Sequence, residues 1–169
     1  MVRWPTRTSA CPGESFLTLA KQEKIFESIF VTENTDSRYE QGWKQLKEIH
    51  AEAGQQILDS LGEVAPDLVK YIIEFPFGDI YTRPGLTLKE RQIITVSILA
   101  SQGNSESILQ AHMHGALNVG CTREELLEIC LQVAIYAGFP AALKAALAAK
   151  TVFAERDAAK EKKQEKENF

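Results

Sequence analysis

Two tetrads, Thr87-Leu88-Lys89-Glu90 and Thr122-Arg123-Glu124-Glu125, constrain this chain more than any other feature. In each, a threonine hydroxyl can accept from the backbone N–H three residues on. The glutamate can reach back to the threonine's own N–H, closing the open start of an α-helix. Each tetrad leads into apolar sequence. RQIITVSILAS, nearly continuous in hydrophobicity, predicts a central helix buried on most sides. After the second tetrad, Leu126, Ile129, Cys130, Val133 and Ala137 fall at the spacing of one buried helical face. The β-branched runs IIEF and IITVSIL sit inside helical frames, and no alternating strand pattern appears. The expected fold is all-α, a compact bundle of about six helices forming one subunit of a homo-oligomer.

The rest of the chain extends this frame. Residues 1–36 have weak periodicity and are read as an N-terminal arm or short helix. Residues 37–155 form the helical domain, and residues 156–169 a charged, solvated C-terminal extension. DSRYEQGWKQLKEIHAEAGQQILDSLG predicts a long helix stopped by Gly62, with Gly54 a weak point that could split it. APDLVKYIIEF reads as a short helix and FPFGDIYTRPG as a loop, punctuated by Pro76, Gly78, Pro84 and Gly85. SESILQAHMHGALNV reads as a helix closing at Gly120. Pro140 opens a last, alanine-rich helix.

Composition excludes several classes. The chain has 169 residues, enough for one domain with a real core, and 25% are charged. A net charge of −4 gives no electrostatic attraction to nucleic acid. Three cysteines, Cys11, Cys121 and Cys130, form no C-x-x-C pair, so neither a zinc knuckle nor a dithiol redox site is expected. Cys130 reads as a small core hydrophobe. No signal-like or membrane-length apolar run occurs, and the expected location is cytoplasmic, without membrane association.

Three histidines remain, two of them in HMHGALNVG. Residues i and i+2 of a helix point roughly 200° apart, so His112 and His114 cannot ligate one metal from one face, and no metal is expected. Ile108, Leu109, Ala116 and Val119 define the apolar side, and His112 shares their stripe while His114 leans away. On the residues alone, His112 is a core histidine bonded to a carbonyl, and His50 is another of the same kind.

Three stretches taken together resemble the carboxymuconolactone decarboxylase family. They are APDLVKYIIEFPFGDIYTRPGLTLKERQIITVSILAS, HMHGALNVGCTREELLEI and AIYAGFPAAL, and RYEQGWK resembles the entry helix of longer members. RPGLT, H-x-x-GALN-x-G-x-T-x-EE and YAGFPAA recur in that order and spacing. The resemblance implies a small all-α subunit that assembles into homotrimers or homohexamers, with sites near subunit contacts. It also implies conversion of 4-carboxymuconolactone to an enol-lactone and carbon dioxide without a cofactor, in aromatic-compound catabolism through the β-ketoadipate pathway. A related branch, the alkylhydroperoxidase-D-like proteins, places a C-x-x-C pair just ahead of the shared histidine. Here that histidine is His112, and residues around Ser105 and Ile108 stand where the thiols would be, so no peroxidase cycle is expected.

The implied chemistry assigns roles. Electrons released with carbon dioxide can flow through a conjugated double bond to the lactone carbonyl, so the protein must supply a proton and a seat for carboxylates. His112 becomes the general acid or the lactone-oxygen donor, since an ordinary imidazole gives up its proton near neutrality. Arg83 is the candidate carboxylate clamp. Many relatives carry glutamate where this chain has Gln92, and an amide cannot carry a proton at ordinary pH. The base role then passes to Glu90, or the chemistry differs. Relatives often have arginine at His114, which here could supply charge conditionally. The partner expected is a small carboxylic acid or lactone. The alternative is a catalytically divergent member, acting as an oligomeric binding protein or in another catabolic or stress pathway.

Overall fold

A computed structural model describes residues 37–103 and 105–167, and the arm at 1–36, with Cys11, lies outside the described residues. The described residues form six α-helices and one π-helical segment, with no strand among them. The helices are α1 (Arg38–Gly62), α2 (Pro66–Ile72), α3 (Leu88–Gln102), α4 (Glu106–Asn118), α5 (Arg123–Ala137) and α6 (Phe139–Glu167). The π-helical segment, Ile73–Ile80, lies between α2 and α3. No described helix is long and apolar enough to cross a membrane.

Both expected capping boxes close as written. Thr87 and Thr122 accept from the amides of Glu90 and Glu125, whose carboxylates accept from the two threonine amides. The second box also ties to α3, because Lys89 reaches Glu125 at 2.7 Å. A third box, Ser37 with Glu40, opens α1. Helix α6 is continuous past residue 155. Asp157 pairs there with Arg123 of α5.

Three expectations change. The break in α1 falls at Ala51 (φ 51°, ψ −143°), ahead of Gly54. Of the stretch FPFGDIYTRPG, expected to be a loop, FPFGDI belongs to the π-helical segment Ile73–Ile80, and Tyr81 caps it. Proline does not break it. The Pro76 carbonyl accepts from the Tyr81 amide at 2.9 Å in the i→i+5 pattern of a π-turn. The third change is in α3, which is not buried on most sides. Gln92, Val96 and Ala100 form its buried stripe, while Ile94 and Ile98 are exposed.

The core has two parts. The larger joins α3 to α6 around Val96, Met113, Leu126, Val133, Ala145 and Val152, all buried. Cys130 packs within it, as expected. The smaller joins α1 to the π-helical segment around Leu46, Ile49, Leu58, Ile73 and Phe77. That second contact depends on Gly42, where an added Cβ would stand 2.0 Å from the carbonyl oxygen of Ile73. Backbone cannot retreat as a flexible side chain can. Gly42→Ala is therefore expected to lower the urea midpoint by the equivalent of about 3 kcal/mol or more. A midpoint within experimental error of wild type would contradict this contact.

Candidate active site

The seam between the two core clusters is where the chemistry-bearing side chains meet. His112 of α4 faces α1 and α3, and its Nδ1 lies 3.2 Å from Oε1 of Gln92. Among the described residues Gln92 is the one buried polar side chain, fully shielded from solvent. Its amide nitrogen donates to the Tyr81 hydroxyl at 3.3 Å, and that hydroxyl lies 3.1 Å from Oγ1 of Thr95. Leaving a buried amide unpaired would cost about 1–3 kcal/mol, so both ends of Gln92 being bonded stabilises the seam.

The third histidine joins them. His50 sits edge-on to His112 with ring centroids 4.9 Å apart, and Phe77 stands edge-on to His50 in turn. Gly115 permits this approach, since a Cβ there would meet His50 Cε1 at 3.1 Å and Ile49 Cγ2 at 2.8 Å. Asn118, one turn further along α4, donates its amide to the Ile49 carbonyl at 2.7 Å, just ahead of the break at Ala51. Arg156 of α6 donates to the Asn118 side chain and to the His114 carbonyl. The glycine and asparagine of HGALN thus hold His50 against His112.

Burial governs the electrostatics. Desolvation, and secondarily the neighbouring His50, push the His112 pKa down to about 4. His50 is lowered by burial too, with the Ala111 carbonyl partly offsetting it. At neutral pH the unliganded His112 ring is neutral. This differs from the expectation of a proton held ready near neutrality, because the sequence does not reveal how deeply the ring is set.

The other expected site residues fall in different places. Gln92 touches His112. Glu90 is exposed and occupied in the cap of α3, where the Thr87 amide and hydroxyl hold its carboxyl below the ordinary range. Arg83 is exposed, and its carbonyl accepts from Arg91 at 2.9 Å. Arg91 itself lies over the Tyr81 ring with its Nε shielded and unpaired. His114 turns away from the seam to Glu155 on α6, at 2.8 Å. Ile108, expected on the core stripe, is half-exposed; Leu109, Met113 and Ala116 make that stripe.

Sequence reasoning missed His50, Tyr81 and Thr95. His50 had a signal, its place next to Ile49 on the apolar face of α1, but nothing in the sequence indicated a partner 62 residues away. Among the described residues no three His, Cys, Asp or Glu side chains cluster as metal ligands would. Two grooves, of about 330 and 380 Å³, lie elsewhere and are not lined by His112.

Fold and site together define a small helical protein with a shielded imidazole–amide pair between its helices. Residues 66–151 match the model of the carboxymuconolactone decarboxylase family. The chain is 32% identical over 130 residues to 4-carboxymuconolactone decarboxylase of Acinetobacter baylyi, a match covering 76% of this chain and 96% of that protein. It is 31% identical over 99 residues to an uncharacterized 15.0 kDa protein of Paracoccus denitrificans, covering 58% of this chain and 74% of that one. It is 35% identical over 74 residues to nitrosuccinic acid decarboxylase of Metarhizium robertsii, covering 44% and 51%. The chain belongs to the carboxymuconolactone decarboxylase family.

The depressed His112 pKa has a consequence for stability. An unfolded His112 titrates near 6.5 and the folded one near 4, so between those values the unfolded chain binds more protons. Stability is therefore unaffected above that window, falls as pH drops through it, and levels off below, by at most about 3 kcal/mol. His112→Asn, which keeps an N–H toward Gln92 but cannot titrate, should show a flatter fall in melting temperature between pH 6.5 and 4. Parallel curves for the two proteins would mean that His112 is not depressed.

Proposed function

We propose that this protein is a cofactor-free decarboxylase of 4-carboxymuconolactone or a related small lactone or oxo acid, with His112 moving the proton. The observation that carries the reading is the His112 imidazole, half-buried and bonded through Nδ1 to a neutral amide, and we assign its Nε2 to the substrate. Family membership supports it. So do the names of two relatives, which are decarboxylases of different acids.

The proton balance is set by the chemistry. A dianion arriving beside His112 offsets the burial penalty and favours the imidazolium, so Nε2 takes a proton from solvent as the substrate binds. The bond to the departing carboxylate breaks, and its electron pair passes through the ring double bond to the lactone carbonyl, giving a dienolate. Nε2–H then protonates the carbon next to that carbonyl, and the ring returns to neutral. Gln92 suits this role as an uncharged partner. A carboxylate there would hold the imidazolium's proton more tightly and make it a weaker acid. Glu90, exposed in its cap, is not needed. Arg83 and Arg91, joined through the Arg83 carbonyl, supply the cationic edge for the substrate's carboxylates.

Assembly into a trimer or hexamer belongs to the same proposal. Leu127, Leu131 and Ile135 of α5 and Phe139, Leu143 and Leu147 of α6 each recur every fourth residue and are between 45% and 81% exposed. Two such apolar strips exceed what an isolated small subunit ordinarily leaves in water. Sedimentation of wild type at micromolar concentration is expected to show an oligomer, and Leu131→Lys with Ile135→Lys a smaller species. A clean wild-type monomer would count against assembly.

Activity is tested by following loss of 4-carboxymuconolactone spectrophotometrically. Wild type is expected to turn it over, and His112→Ala to lower kcat by about 100-fold or more. No loss of lactone at high wild-type concentration would remove the decarboxylase reading for this substrate. Full activity in His112→Ala would remove His112 from it.

A further inference from the structure

Four hydrogen bonds in series run from His112 to the backbone of α3. Nδ1 of His112 meets Oε1 of Gln92, Nε2 of Gln92 meets the Tyr81 hydroxyl, that hydroxyl meets Oγ1 of Thr95, and Oγ1 meets the Arg91 carbonyl at 2.9 Å. The direction of every bond is set by the far end. A carbonyl only accepts, so Thr95 commits its one hydroxyl hydrogen to Arg91. Oγ1 must then accept from Tyr81, whose own hydrogen is thereby committed. The Tyr81 oxygen is left to accept, and only the amide nitrogen of Gln92 can donate to it. The amide oxygen is the atom left facing His112. Turning the amide over would set two acceptors against each other at Tyr81, with no hydrogen between them.

We infer that Tyr81 and Thr95 are positioning residues that select the Nδ1–H tautomer of His112, leaving Nε2 as the bare nitrogen. The selection works at a distance. Neither side chain bonds to the ring, yet together they decide which ring nitrogen carries the hydrogen. Gln92 transmits the choice because its two ends differ in kind, one accepting and one donating. A carboxylate at the same place, with two accepting ends, would take the hydrogen of Tyr81 for itself and break the series at Thr95. The tautomer is a property of the unliganded protein, whereas its kinetic consequence rests on the decarboxylase reading above.

The test uses full-length protein with nitrogen-15 histidine, at a pH where the ring is neutral. Long-range proton–nitrogen correlations distinguish the two tautomers. The chain has three histidines, so loss of one set of signals in His112→Asn assigns the ring. Wild type is expected to show a single tautomer protonated at Nδ1. Tyr81→Phe frees the Gln92 amide to turn and should give a mixture. Thr95→Val should do the same by freeing the Tyr81 hydrogen, whereas Thr95→Ser should retain the wild-type tautomer. A wild-type ring protonated at Nε2, or an unchanged tautomer in both Tyr81→Phe and Thr95→Val, overturns the inference. If Tyr81→Phe does not fold, the Thr95→Val and Thr95→Ser pair decides alone.

Kinetics then separate the tautomer from the function. Given turnover of 4-carboxymuconolactone, Tyr81→Phe should lower kcat about tenfold with KM nearly unchanged, and Thr95→Ser should behave as wild type. The expected spectra with no wild-type turnover would leave the tautomer assignment standing and remove the decarboxylase reading for this substrate.

Discussion

The hydrogen bond between Nδ1 of His112 and the buried amide of Gln92 is the constraint around which the rest of the structure is arranged. A buried amide has a donor and an acceptor to satisfy, and a buried imidazole has two nitrogens that differ. Their pairing meets one requirement of each and hands the remainder outward. On the Gln92 side the remainder is met by Tyr81 and Thr95. On the His112 side the proposed reaction assigns the second ring nitrogen to the substrate. A shielded polar pair with one open valence is costly to maintain for packing alone, since two apolar side chains would fill the same space more cheaply.

Packing explains why that pair sits where it does. The two hydrophobic clusters draw α3 to α6 into one body and α1 with the π-helical segment into another, and His50, Tyr81, Gln92 and His112 line the join. The close approach at Gly42 sets the second body, the bonds of Asn118 and Arg156 fasten α4 to α1 and α6, and the π-turn brings Tyr81 over α3. Residues far apart in the chain thus converge on one ring. The same burial that orders them removes the charge from His112 at neutral pH, and in the proposed reaction the substrate's negative charge restores it.

Local chemistry was legible in the sequence where it is short-range. The threonine–glutamate boxes, the stop at Gly62, the helix divided between His112 and His114, and the family itself all rest on residues close together or on motifs in order. What escaped was set by the third dimension. FPFGDI carries turn residues, yet packing against α1 winds it into a π-helix. Ile94, Ile98 and Ile108 look like core by type and are exposed, because residue type alone does not say which face of a helix packs against its neighbours. His50 looked solitary because its partners lie on other helices. Glu90 carried the right functional group, and its cap had already engaged it.

The protonation of His112 proposed to accompany substrate binding can be measured without turnover. A lactone diacid with its ring double bond reduced has no path for the electron pair and cannot lose carbon dioxide. Its binding to wild type at pH 7, followed calorimetrically in buffers of different ionisation enthalpy, should show uptake of a substantial fraction of one proton per site. Binding with no proton uptake would contradict a neutral His112 that charges as the anion arrives.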